Sequence, residues 1–143
     1  MKRLAILLGM LCTQAALAGD VTVEHAWMRA TAPGQAVAGA FMDITSAADA
    51  KLVGASTPLA GTAQLHTMSM SQGMMDMHEV KDIPLPKGKT VKLAPGGLHV
   101  MLFDLKQPMK QGEVVPLTLD IVTAPGHHEK VEVKVEVRDL GGH

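Results

Sequence analysis

The sequence predicts an all-β protein, an antiparallel sandwich or barrel built around a single core. In the segment VEVKVEV, residues 131–137, valine alternates with a charged residue, which is the period of a half-buried strand. Similar short segments recur along the chain, turns that contain proline or glycine separate them, and no long amphipathic helix interrupts them. With 143 residues and 47% hydrophobic composition, the chain has enough apolar material for one domain.

The first eighteen residues have the pattern of a secretory signal peptide. Two basic residues precede an apolar run over residues 4–11, and the alanines at 16 and 18 offer the small side chains that a signal peptidase requires. The apolar run is shorter than the roughly 20 residues that a membrane-spanning helix needs. We therefore predict cleavage after Ala18, export to the periplasm, and one soluble domain over residues 19–143.

Nine strands are predicted in the exported domain, each ended by residues that favour turns. The strands are 21–29, 36–45, 51–56, 63–70, 74–80, 90–93, 98–105, 114–123 and 131–137. Breakers occupy 32–34, 57–58, 84–88, 94–97, 110–112 and 124–126.

Removing the leader changes the charge and leaves no cysteine. Lys2 and Arg3 are lost, so 11 of the 13 basic residues remain against 14 acidic ones, a net charge of −3. Cys12 is the only cysteine, and Met10-Leu11 before it lacks the small residues of a lipoprotein cleavage site. The exported domain therefore has no disulfide and no thiolate ligand. With 2% aromatic residues and no basic stripe, it is not expected to bind nucleic acid.

Methionine is concentrated in one part of the exported domain, which keeps nine of the 11 methionines of the chain. Five of them fall within ten residues: Met68, Met70, Met74, Met75 and Met77. One interpretation is packing, because methionine fills irregular gaps and this core has few aromatic residues. The other interpretation is metal binding through thioether sulfur, and the neighbours of these residues distinguish the two.

A hairpin turn at Gln72-Gly73 would bring one of these methionines beside a histidine. If the two residues form the turn, with Gly73 at positive φ, Met68 pairs with Met77 across the strands. His66 and Met77 then become diagonal neighbours on one face of the sheet. A three-residue loop would shift the register and separate them, so the prediction depends on the turn.

A second histidine lies in the apolar strand GLHVMLFD, residues 97–104. His99 and Met101 point to the same face about 6–7 Å apart, so one ion could contact both. A lone histidine on an apolar strand is also commonly a hydrogen-bonded core residue. The role of His99 therefore depends on whether His66 and the methionines lie beside it.

Two imidazoles and two or more thioethers form a soft, uncharged donor set. Thioether sulfur suits Cu(I) and is a poor ligand for Mg²⁺, Ca²⁺ or Mn²⁺, which take oxygen. Zinc favours thiolate, imidazole or carboxylate, and a blue-copper centre needs a cysteine that the exported domain lacks. The donor set predicts copper that stays reduced and is passed on.

The spacing of these four residues resembles that of the periplasmic copper chaperones of the PCuAC type. The pattern of that family is a histidine, ten residues, a methionine, twenty-one residues, then His-x-Met. His66, Met77, His99 and Met101 match it at every spacing. The resemblance extends through AWMRATAPGQAVAGAFMDI and LAPGGLHVMLFDLKQPMKQGEVVPLTL, so it covers nearly the whole exported domain.

The resemblance implies a fold, a cargo and partners. The implied fold is a cupredoxin-like Greek-key β-barrel or sandwich, with one Cu(I) per domain held by His66, Met77, His99 and Met101. The implied partner is the CuA-bearing subunit of a haem-copper (cytochrome c) oxidase or a Sco-type assembly protein. Four methionines lie outside the pattern, and covering the site, accepting copper transiently and packing in the core all remain open for them. They are Met68, Met70, Met74 and Met75.

The remaining histidines also lie outside the pattern. His25 and His78 are expected in surface or capping roles. His127, His128 and His143 cluster near the C-terminus, where some proteins of the resembled family carry His- and Met-rich extensions. This tail is short and has no methionine, so a surface role and a second, Cu(II) site both remain open for these three.

Two other functions compete with copper delivery. A secreted copper oxidase or dismutase would use imidazole and carboxylate ligands that tolerate Cu(II), and no acid-base group accompanies the four residues. We therefore predict that the protein is not an enzyme. Sequestration of copper for tolerance would use the same ligands as a chaperone, so delivery and sequestration remain alternatives that transfer to an acceptor distinguishes.

Overall fold

The computed structural model describes residues 16–18, 20–123 and 126–139 and confirms the all-β class. The strands are β1 Ala16–Ala18, β2 Val21–Arg29, β3 Val37–Ser46, β4 Ala50–Ser56, β5 Ala60–Ser71, β6 Met74–Glu79, β7 Ile83–Leu85, β8 Thr90–Leu93, β9 His99–Leu105, β10 Val114–Thr123 and β11 His127–Arg138. Among the described residues they form one 11-stranded sheet in the order β6-β5-β9-β3-β2-β11-β10-β4-β7, with β1 beside β2 and β8 beside β3.

The core lies on one face of this sheet, as the alternating sequence pattern predicts. In β11 the four valines of VEVKVEV are buried and the charged residues between them are exposed. Alternate residues of β3 from Ala38 to Ile44 are buried in the same way, and these side chains and the valines belong to one contiguous apolar cluster. Met28, Met42 and Met109 belong to the cluster. The packing interpretation of methionine therefore holds for these three residues.

Two features of the sheet differ from the sequence prediction. Strand β7 overlaps the segment 84–88, which the sequence predicts as a breaker. Ile83 and Leu85 are buried and Pro84 lies between them on the last strand of the sheet, where a proline is tolerated because one edge of the backbone needs no partner. Strands β2 and β11 pair in parallel, not antiparallel. They are distant in the chain, so no hairpin dictates their relative direction.

Strand β1 falls within the predicted signal peptide and lies antiparallel to the start of β2. On its other edge, this part of β2 pairs with β3 from Val21 to Glu24. The start of β2 therefore has a partner that does not depend on β1, and cleavage after Ala18 stays a prediction. Over the residues that the structure describes, no helix has the length and apolarity to cross a membrane.

A β-bulge in β2 turns one aromatic side chain to the outer face of the sheet. The register between β2 and β3 shifts just before Trp27, and His25 within the bulge has a φ of 56°. One extra residue reverses the alternation of the strand, so Val23 is buried before the bulge and Met28 after it. Trp27 consequently lies on the outer face beside Phe41, its partner on β3.

Candidate metal centre

The hairpin of β5 and β6 has the register that the sequence predicts. Gln72 and Gly73 connect the strands with φ of 51° and 81°, and positive φ at both positions is the property of the two-residue type I′ turn. Met68 pairs with Met77 across the hairpin. His66 and Met77 are therefore diagonal neighbours on one face, which confirms the prediction made from the turn.

Strand β9 places the second histidine directly beside the first. His66 of β5 pairs with His99 of β9, and their ring centroids are 5.8 Å apart. Met101 lies two residues further on the same face and pairs with Gly39 of β3. From the position that a Cβ would take on Gly39, the Met101 Sδ is 3.6 Å away and the His99 Cδ2 is 3.9 Å away. A side chain at this position would therefore contact the thioether, the imidazole and the Phe41 ring, whose Cζ is 3.4 Å away.

Met77 occupies a different side of the centre from Met101. Strands β6 and β9 flank β5 on opposite edges, so Met77 and Met101 lie on opposite sides of His66. Met77 is also 45% exposed, since β6 is the outermost strand. The structure therefore brings His66, His99 and Met101 together and adds Met77 across His66. Their common role as ligands stays a prediction.

Each histidine has one ring nitrogen held by an oxygen acceptor. His66 Nε2–H donates to Gln64 Oε1 over 2.9 Å, and His99 Nδ1–H donates to the Gly97 carbonyl over 2.9 Å. These bonds leave the lone pair on His66 Nδ1 and on His99 Nε2. His66 Nδ1 is buried, and among the described residues it has no hydrogen-bond partner. A buried lone pair of this kind suits a metal ligand.

The three aromatic residues of the chain form a shell in which Phe41 and Phe103 lie beside the two imidazoles and Trp27 lies beside Phe41. The ring of Trp27 lies 4.8 Å from that of Phe41, Phe41 lies 6.1 Å from His99, and Phe103 lies 5.8 Å from His66. Phe41 and Phe103 cover the imidazoles, so His66 and His99 are only 8% and 4% exposed although they lie on the outer face of the sheet. The sequence pattern did not predict this shell. Its available signal was the two-residue spacing that puts Phe103 on the same face as His99.

Burial also sets the protonation of the first histidine. Desolvation lowers the pKa of His66 from its usual 6.5, the positive charge of His99 when protonated lowers it further, Glu79 opposes the shift, and His78 adds to it. His66 is therefore neutral at neutral pH. The neutral imidazole is the form that binds a metal.

The donors of this centre differ from those of most protein metal sites. Within the described ranges, no group of three or more His, Cys, Asp or Glu residues could hold a metal ion. The neighbours of the two imidazoles are thioethers and aromatic rings. This donor set fits a soft, singly charged ion, because thioether sulfur selects Cu(I) and hard cations need oxygen.

The methionines outside the spacing pattern do not pack in the core. Met70, Met74 and Met75 are 67%, 72% and 51% exposed, and Met68 is half-buried. The core interpretation was wrong for the three exposed residues, because the edge hairpin of β5 and β6 projects beyond the buried face of the sheet.

The other histidines lie apart from the centre where the structure describes them. Exposed His25 and His128 each place Nδ1 3.0 Å from a carboxylate oxygen, that of Asp43 and Asp120 respectively. His78 is exposed and pairs with Thr67, on the face of the hairpin opposite to His66. His127 is exposed at the start of β11. His143 lies outside the described residues, so a Cu(II) site in the tail stays open.

Fold and site together define a class: an all-β, cupredoxin-like domain of the PCuAC type, which is a non-enzymatic class of metal-binding protein. The chain is similar to the apo PCuAC domain from PmoF1, at 26% identity and a TM-score of 0.68 over 86% of this chain and 98% of that one. It is similar to the copper-bound PCuAC domain from PmoF2, at 26% identity and a TM-score of 0.66 over 85% and 97%. The Cu(I)-bound solution structure of DR1885 from Deinococcus radiodurans is 36% identical, with a TM-score of 0.62 over 82% and 78%.

Sequence comparison then gives the family. The family described as "Putative lipoprotein LpqE-like" matches residues 21–137, which is most of the chain. A relative from Leifsonia xyli subsp. xyli (strain CTCB07), named "Putative lipoprotein Lxx21020", is 36% identical over 129 residues, covering 87% of this chain and 74% of the relative. The chain belongs to the LpqE-like family.

Proposed function

We propose that this protein is an exported Cu(I) metallochaperone that delivers copper to the copper centre of a haem-copper (cytochrome c) oxidase or to its assembly factors. The observation that carries the proposal is the pair His66 and His99, each with one nitrogen lone pair left by its hydrogen bonding, beside Met101. Similarity to a copper-bound PCuAC domain and to a Cu(I)-bound protein supports copper as the cargo.

One Cu(I) per domain is taken up by His66, Met77, His99 and Met101. All four donors are neutral, so they favour Cu(I) over Cu(II) and hold it less tightly than thiolates do. The hydrogen bonds to Gln64 and Gly97 set the imidazole tautomers before the ion arrives. Release to a reduced dithiol acceptor, such as a CuA-bearing subunit or a Sco-type protein, is therefore downhill.

The site of action in this proposal is the periplasm. The basic, apolar and small-residue regions of the first eighteen residues support export and cleavage after Ala18. The lipoprotein descriptions of the family and of the Leifsonia relative also support export, since lipoproteins are exported proteins. Cys12 lies outside the described residues.

The test is transfer of the cargo. Cu(I)-loaded protein is mixed without oxygen with an excess of a CuA-type or Sco-type acceptor whose cysteines are verified as reduced, the two are separated, and copper is measured in each. We expect most of the copper on the acceptor. Copper that stays on this protein would refute delivery and favour sequestration, and a His99→Ala variant that fails to load serves as the control for the site.

A further inference from the structure

Four methionines form a compact group on one face of the β5–β6 hairpin. Met68 pairs with Met77 and Met70 pairs with Met75. Residues two apart on a strand share a face, so all four side chains project to the same side. Cross-strand neighbours have Cβ atoms about 5 Å apart, and neighbours along each strand are about 7 Å apart. We call these four residues the methionine block.

Apolar contact alone does not explain why the exposed side chains of the methionine block are all methionine. Three of its members, Met70, Met75 and Met77, are exposed large apolar side chains on an edge hairpin. A surface selected for apolar contact alone could use leucine, valine or isoleucine, but each of these four positions has methionine. The property that methionine adds is a polarisable thioether on a side chain with three rotatable bonds, and thioether sulfur selects Cu(I).

The block is continuous with the candidate metal centre. Met68 is two residues from His66 on β5, and His66 is paired with His99. On this face of the hairpin, the Met70 and Met75 pair lies next to the turn. The Met68 and Met77 pair comes next, and the imidazoles follow it. Met77 belongs both to the block and to the proposed ligand set.

We propose that the methionine block is a second, weaker Cu(I) site that captures the ion near the tip of the hairpin and passes it through Met77 to His66 and His99. This inference rests on the proposed function. The ion remains Cu(I) throughout: one thioether sulfur or neutral imidazole nitrogen donates its lone pair as another donor leaves, with no electron or proton transferred. In this proposal Met77 is the donor shared by the two sites. Its observed position, across His66 from Met101 and beside Met68, suits that role.

A titration with Ag(I), a redox-inert substitute for Cu(I), tests the site directly. The exported protein is labelled with ¹³C at the methionine methyl groups and observed by NMR. The first equivalent should shift Met101 and Met77, and the second should shift Met68, Met70 and Met75. Met74 is the internal control, since it is in the same hairpin but pairs with Ser71 on the opposite face. Unshifted Met70 and Met75, or an equal shift of Met74, would overturn the second site.

Uptake kinetics test the path. The double variant Met70→Leu/Met75→Leu keeps the apolar volume and removes two sulfurs, and Met74→Leu is the matched control. We expect the double variant to lose the second Ag(I) equivalent and to take Cu(I) from a small chelator more slowly, on the order of tenfold, because the locally held ion is lost. Met74→Leu should match the wild type in both measurements.

The outcomes separate this inference from the proposed function. If the first Ag(I) equivalent leaves Met101 unshifted, the proposed ligand set is wrong. If the first equivalent binds normally but the double variant takes up Cu(I) at the wild-type rate, only the capture site is wrong. A double variant that is slowed with a protein acceptor but not with a chelator would instead show that the block is a docking surface, and would overturn the path.

Discussion

Replacing Met101 with leucine tests the thioether without changing the packing around it. Met101 is half-buried on the outer face, between His99 on its own strand and Gly39 on β3. Leucine has nearly the same volume, and such exchanges usually change the free energy of unfolding by less than about 1.5 kcal/mol. The apo protein should therefore unfold at nearly the same denaturant concentration as the wild type.

The expected loss of copper affinity is much larger than this change in stability. Losing a partner that only orients a metal ligand weakens binding about 10–100-fold. Loss of a ligand itself should reach at least the upper end of this range, and a factor of about 100 corresponds to about 2.7 kcal/mol. Met42→Leu is the matched control, because Met42 is buried on the core face of β3, opposite to the face on which Gly39 pairs with Met101.

Two measurements separate the variants. Competition with a chromophoric Cu(I) chelator gives the affinity, and urea unfolding of the apo protein gives the stability. We expect Met101→Leu to lose affinity with little change in stability, whereas Met42→Leu should keep its affinity and lose up to about 1.5 kcal/mol of stability. Wild-type affinity in Met101→Leu, or equal affinity losses in the two variants, would refute the ligand assignment.

Three further predictions concern the apo protein and its processing. Burial, together with His99, lowers the pKa of His66 in the folded state, so the unfolded protein binds a proton more readily than the folded protein. The contribution of His66 to the free energy of unfolding is therefore complete above pH 6.5 and falls as the pH drops below that value. Urea unfolding at pH 7.5 and pH 5.5 should show this loss, and His66→Gln should reduce it; an unchanged pH dependence in the variant would contradict the assignment. Gly73→Ala forces an alanine to φ near 81°, which should lower the stability of the hairpin by about 1 kcal/mol. Hydrogen exchange of the β6 amides should then accelerate about fivefold. Gly54→Ala, at a glycine without positive φ, serves as the control. The intact mass of the exported protein should correspond to a chain that begins at Gly19, and a mass that includes Cys12 or a lipid would show that this processing prediction is wrong.

Local sequence pattern was sufficient for most of the fold. Strands β2, β8 and β10 have the predicted bounds, because apolar alternation and flanking turn residues are local properties. The hairpin register was also predictable, since Gln72-Gly73 determines which residues of β5 and β6 pair. The strand β7 was missed, because whether a proline ends a strand or lies in one depends on its position at the edge of a sheet.

The candidate site was predicted in its residue types and only in part in its arrangement. The histidines and methionines themselves predicted a soft donor set, because thioether and imidazole have the same chemistry in any fold. The pairing of His66 with His99 was not predictable, since three other strands lie between β5 and β9 in the chain and no hairpin turn sets their register. The exposure of Met70 and Met75 depended equally on their strand lying at the edge of the sheet.

By itself, the sequence determined most strand positions, the hairpin register, the absence of thiols from the predicted exported domain and the soft donor set from which Cu(I) is predicted, because each depends on residues near one another in the chain or on side-chain chemistry alone. Only the tertiary structure decided that Phe41 and Phe103 lie beside the imidazoles, that His66 Nδ1 is buried without a described partner, and that Met77 and Met101 lie on opposite sides of His66. These features arise from contacts between strands far apart in the chain, and a bulge of one residue in β2 suffices to change which side chains meet.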